Sequence, residues 1–199
     1  MNQSDWNRVS GMLVECATAL LEAFGTTVRY DPAGEARHPP EDGLLAIIGF
    51  AGGEKGMRGS LVLSANRGLL ARSRPVPQSQ TVAPTAAAPR SAGPDTAPNS
   101  GVDALQDWIG ELANQLLGRL KSRLLAHGVA IQLGTPTTVS GLELRVRTGT
   151  GERQATPLWL LAGDDWLVVR LDAIASPDAE LSTCPDPSSS ATEGEVLLF

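Results

Sequence analysis

Residues 103–127 carry apolar side chains at helical spacing for six turns, and this stretch limits the folds open to the chain more than any other feature. At about 100° per residue, Leu105, Ile109, Leu112, Ala113, Leu116, Leu120 and Leu124 fall on one side, and Gly128 terminates the run. A stripe of that length must be covered by other apolar surface. A second helical run supplies a partner. It has Ser4 as N-cap and Asp5 in its first turn, with Trp6, Val9, Leu13, Ala17, Leu20, Leu21 and Phe24 in phase before Gly25 closes it. The remaining apolar segments read as strands. Residues 26–30 form a short β-rich stretch, and 44–50 and 58–64 form a hairpin across the turn residues 51–56. Residues 66–73 read as a short helix. After the long helix, strands are expected at 129–133, 137–140, 142–148, 157–162 and 166–171, with Gly163-Asp164-Asp165 as the turn between the last two.

The order helix, strands, helix, strands predicts an α+β fold: a pseudo-duplicated unit with two long helices packed on an antiparallel sheet. No residue-level repeat relates the halves, so this expectation rests on layout alone. Residues 1–73 and 101–175 are read as one domain in two halves. Residues 74–100, rich in Pro, Ala, Ser and Thr, bury too little to offset their ordering entropy and read as a disordered linker or insertion. The less favoured reading of that stretch is a Pro-rich ligand for a partner domain. Residues 176–193 read as a disordered tail, and 194–199 as an apolar tip.

Composition excludes several functions. With 19% charged residues and a net charge of −6, the chain lacks the basic cluster that nucleic-acid phosphates require. No apolar run approaches the roughly 20 residues that span a bilayer, and the start MNQSDWNR has no signal pattern, so the cytoplasm is the expected compartment. Cys16 falls within a helical pattern as a small core residue, and Cys184 reads as a free thiol in the tail. Neither Cys16, Cys184, His38 nor His127 has metal-ligand spacing, and no metal or cofactor is expected in this chain.

The face of the long helix opposite its stripe carries Asp107, Glu111, Asn114, Gly118 and Lys121. Glu111 and Asn114 are three apart and therefore neighbours on the surface. Asn is a modest helix former, and Gly costs roughly 1 kcal/mol relative to Ala in a helix interior. A missing side chain at 118 lets a partner's backbone approach closely. Alone, a Glu and an Asn three apart form too short a pattern to carry an assignment.

Glu111-Leu112-Ala113-Asn114-Gln115-Leu116-Leu117-Gly118 resembles the E-x-x-N-x-x-x-G signature of the CheC/CheX/FliY chemotaxis phosphatases. Pro136-Thr137-Thr138-Val139-Ser140-Gly141 resembles the P-x-x-(V/I)-x-G segment that follows that helix in CheX-like domains. Ile47-Ile48-Gly49-Phe50-Ala51-Gly52 and Gly59-Ser60-Leu61-Val62-Leu63 resemble the family's first hairpin. These pieces occur in the family's order and cover most of residues 1–72 and 101–172. Two departures stand out. The linker at 74–100 is longer than expected, and Glu15 on the first helix is followed at i+3 by Thr18 rather than Asn. The chain therefore resembles the one-site CheX type rather than the two-site CheC type.

The resemblance implies a phosphatase for the aspartyl phosphate of CheY-like receiver domains in two-component signalling. Asn114 would enter the receiver's site and orient the attacking water. Glu111 would pair with the receiver's active-site Lys. Gly118 would leave room for the docked loop, with Asp107 and Lys121 as rim contacts. Mg²⁺ is expected in the receiver, not here. A non-catalytic receiver-binding adaptor and a structural module of the flagellar-switch type are the alternatives, and the resemblance leaves a homodimer open. The acidic, apolar tip Glu195-Val196-Leu197-Leu198-Phe199 is a weaker candidate, a tether that would raise the receiver's effective concentration.

Overall fold

A computed structural model of the chain describes residues 1–34, 42–53, 56–75, 100–142, 157–176 and 179–182. The elements are α1 (Gln3–Ala23), β1 (Arg29–Asp31), β2 (Asp42–Gly52), β3 (Met57–Asn66), α2 (Arg67–Ser73), α3 (Ser100–Ala126), β4 (Ile131–Leu142), β5 (Leu158–Ala162) and β6 (Asp165–Ala175). The strands form one antiparallel six-stranded sheet in the order β1-β5-β6-β3-β2-β4. Exchanging β1 with β4, β2 with β5 and β3 with β6 reverses that order onto itself. The pseudo-duplication expected from layout is therefore built into the sheet, with the β3–β6 pair at its centre.

The two long helices also end alike. Gly25 and Gly128 adopt φ of +74° and +82°, which favour glycine. Thr26 N donates to Leu21 O at 2.9 Å, and Val129 N donates to Leu124 O at 2.9 Å, so both termini satisfy their last carbonyls through the same αL turn. The α1 start differs from the expectation at Ser4. Asn2 is the N-cap, its Oδ1 accepting from Asp5 N at 2.9 Å while Asp5 Oδ2 accepts from Asn2 N at 3.3 Å. This reciprocal box holds two otherwise orphaned donors, which a cap at Ser4 would leave open.

One face of the sheet carries the core. Leu44, Ala46 and Ile48 of β2, Leu61 and Leu63 of β3, and Leu167, Val169 and Leu171 of β6 form a single buried cluster with the inner faces of all three helices. Alternation with period two selects these residues. Trp159, Leu161 and Trp166 form a separate cluster on the other face, with Val168 against it. Cys16 is buried in the main core, where desolvation pushes its thiol above the usual range, so it acts as a small apolar residue.

Where separate strands were expected at 129–133 and 137–140, β4 runs unbroken. Pro136 is tolerated because β4 is an edge strand, and a register shift against β2 between Ile48 and Phe50 absorbs the irregularity beside it. Residues 143–148 of the next expected strand lie outside the described residues. So do residues 76–99 of the expected linker, His38, Cys184 and the tip at 194–199. Within the stretch read as a tail, Ala179 and Leu181 are buried, and Arg8 donates to Ser182 O at 3.0 Å. Two apolar side chains at that spacing find the core beside α1, a signal that the surrounding Pro, Ser and Asp residues mask. Among the described residues, no helix is long and apolar enough to cross a membrane.

Candidate functional site

α3 is held on three sides, which leaves its outer face as a fixed platform. On the α2 side, Trp108 Nε1 donates to Ser73 Oγ at 3.1 Å, and the indole meets Phe24 edge to face at 4.8 Å. On the β4 side, Gln106 Nε2 donates to Ser140 Oγ. There Gly110 also lets the helix sit close. A Cβ at that position would lie 3.1 Å from Thr138 Cγ2. On the α1 side, Arg123 pairs with Glu15. That hydrogen bond is the main reason the Arg123 guanidinium is held above its usual range. Replacing Trp108 with Phe keeps the aromatic packing and deletes the buried donor. The expected loss is about 1 kcal/mol, read from the denaturant midpoint.

The expected stripe is buried from Ile109 through Leu112, Ala113, Leu116 and Leu120 to Leu124, with Leu117 buried beside it and Leu105 only partly so. Asp107, Glu111, Asn114 and Lys121 are all exposed on the other face, and Gly118 is half-buried. A Cβ at Gly118 would meet nothing within 4 Å. No internal packing therefore requires glycine there, in contrast to Gly110. The Asn114 carboxamide makes no hydrogen bond among the described residues, so both its donor and its acceptor face solvent. Glu111 Oε1 accepts from Gln115 Nε2 at 2.7 Å. Sequence reading passed over Gln115, although a Gln four residues after a Glu has the spacing for such a bond.

The same burial pattern recurs on α1, where Leu13, Cys16, Ala17 and Leu20 take the places of Ile109, Leu112, Ala113 and Leu116. That alignment sets Glu15 opposite Glu111 and Thr18 opposite Asn114. The α1 face thus keeps the acid and lacks the amide, and its acid is already engaged by Arg123.

The family model described as chemotaxis phosphatase CheX matches residues 44–157, more than half of the chain. No curated protein matches the sequence. Among solved structures, chemotaxis protein CheX from Vibrio vulnificus is 15% identical at a TM-score of 0.59, covering 83% of this chain and 96% of its own. A CheC-like superfamily protein from Shewanella is 14% identical at a TM-score of 0.58, covering 88% of this chain and 100% of its own. The CheX-CheY-BeF3-Mg complex from Borrelia burgdorferi contains a chain 11% identical at a TM-score of 0.52, covering 82% of this chain and 96% of its own. At these identities the structural likeness establishes the α+β fold, and the family match carries the assignment. The chain belongs to the CheX family of chemotaxis phosphatases.

Proposed function

We propose that this chain hydrolyses the aspartyl phosphate of a CheY-like receiver domain, with Asn114 as the group that orients the attacking water. The observation that carries the reading is the unpartnered Asn114 carboxamide, three residues from Glu111 at the centre of an exposed face on a braced helix. The family match supports it, as does the likeness to a CheX solved together with CheY.

The chemistry asks for little beyond placement. A water must lie in line with phosphorus, and orientation supplies much of the rate. A carboxamide accepts from that water at its oxygen and donates to a phosphoryl oxygen at its nitrogen, in fixed relative geometry. Mg²⁺ belongs to the receiver in this scheme and neutralises charge on the phosphoryl oxygens. Residues of this chain contribute the amide, an anionic docking contact at Glu111, and the open space above Gly118. Asp107 and Lys121 lie on the rim, where exposed charges act weakly.

The two halves of the site separate kinetically. Glu111→Ala removes one charge-assisted contact to a cation on the receiver. KM should rise about tenfold, a loss of about 1.4 kcal/mol, with kcat nearly kept. Steady-state release of inorganic phosphate from a phosphorylated receiver measures both constants, and an unchanged KM removes the docking role. A receiver that binds without any gain in phosphate release identifies the adaptor reading instead.

A further inference from the structure

An exposed glutamate on a helix ordinarily samples several rotamers, but Glu111 is restrained. Gln115 donates from Nε2 to Glu111 Oε1 at 2.7 Å. A carboxylate only accepts, so the glutamine must present its nitrogen to it. We propose that Gln115 is a positioning residue: it fixes the Glu111 carboxylate beside Asn114 while leaving its negative charge for a cationic group on the partner. This rests on the docking role assigned to Glu111 above.

Three features of the molecule converge on it. Residues four apart on a helix are neighbours, so the bond forms without distorting the backbone. Gln115 carries no charge. A lysine at 115 would hold the carboxylate equally well, and Glu followed at i+4 by Lys is a favourable helix pair. It would also satisfy the charge inside this chain and compete with the partner's cation. Glu111 Oε2 has no hydrogen-bond partner among the described residues and is left for docking.

The related position on α1 supplies the contrast. Glu15, on the face that lacks the Asn, is engaged by the Arg123 cation, and Ala19 stands where Gln115 stands on α3. The acid without a neighbouring amide is thus held by a charge, while the acid beside Asn114 is held by a neutral side chain. Restraint before docking also lowers the ordering cost of the contact.

Gln115→Lys, Gln115→Ala and Glu111→Ala, with the double variant Glu111→Ala/Gln115→Lys, test the proposal. The probe is a CheY-like receiver phosphorylated on its aspartate, and the readouts are KM, kcat and the thermal midpoint. Gln115→Lys should raise KM about threefold, the scale of an exposed charge pair, with kcat unchanged and the thermal midpoint unchanged or higher. Gln115→Ala should raise KM about twofold through lost restraint alone. In the Glu111→Ala background, Gln115→Lys should have no further effect on KM. A purely structural glutamine predicts an unchanged KM for Gln115→Ala, and that result overturns the proposal. If Glu111→Ala raises KM while Gln115→Ala does not, the positioning role fails and the docking role of Glu111 stands. If Glu111→Ala itself leaves KM unchanged, both fail together.

Discussion

Replacing Asn114 with alanine should lower kcat for receiver dephosphorylation at least about 100-fold, the scale on which a single positioned polar group acts in a transition state. The fold should be indifferent. Asn114 is exposed, makes no hydrogen bond among the described residues, and occupies a helix interior where alanine is the better former. Thermal unfolding should therefore stay level or rise slightly while activity collapses. Stability alone cannot produce that separation. Binding of the phosphorylated receiver should survive, because the contact at Glu111 is untouched. A variant that retains full activity would remove Asn114 from the mechanism.

Gly59→Ala should have the largest effect on stability, at about 3 kcal/mol or more. Gly59 pairs with Phe50 on one side and Ala173 on the other, at the centre of the sheet. A Cβ there would collide with the Asp172 carbonyl oxygen and lie 2.7 Å from Ala173 Cα. Both are backbone atoms of a paired strand, so no side chain can turn aside to relieve the overlap. Strand β6 would have to shift against β3, disturbing the pair that joins the two halves. Chemical denaturation would show a lower midpoint, and an unfolding free energy within about 0.5 kcal/mol of the parent's, the scatter of a harmless surface change, would contradict this packing.

These two residues also show what the sequence makes legible. The outward placement of Asn114 follows from the apolar stripe, because 3.6-residue periodicity fixes which side chains share a face. The same logic selected Asp107, Glu111 and Lys121, and all are exposed. Gly59 appeared in the sequence only as part of a family-like hairpin. Its steric reason is a cross-strand approach between residues more than a hundred positions apart, which no local pattern encodes. The strand order is hidden for the same reason, since β1 pairs with β5 and β2 with β4 across the chain. β4 was read in pieces because Pro136 is a strong local breaker, and only its position at the sheet edge makes it harmless. Gly118 reads in the sequence as room for a partner's loop, but a glycine with no neighbour looks the same there as one that has one, and only the structure shows that internal packing leaves the space above it open.

Turnover of phosphorylated receiver, rather than binding alone, separates a phosphatase from an adaptor. The direct measurement is the decay of an aspartyl-phosphorylated CheY-like receiver, with Mg²⁺ present and this chain far below the receiver's concentration, so that stoichiometric binding can account for only a small part of the loss. All of the receiver should lose its phosphate faster than it does alone, at a rate proportional to added chain, and Asn114→Ala should abolish the acceleration. Decay at the receiver's intrinsic rate, with the chain demonstrably bound, would contradict it.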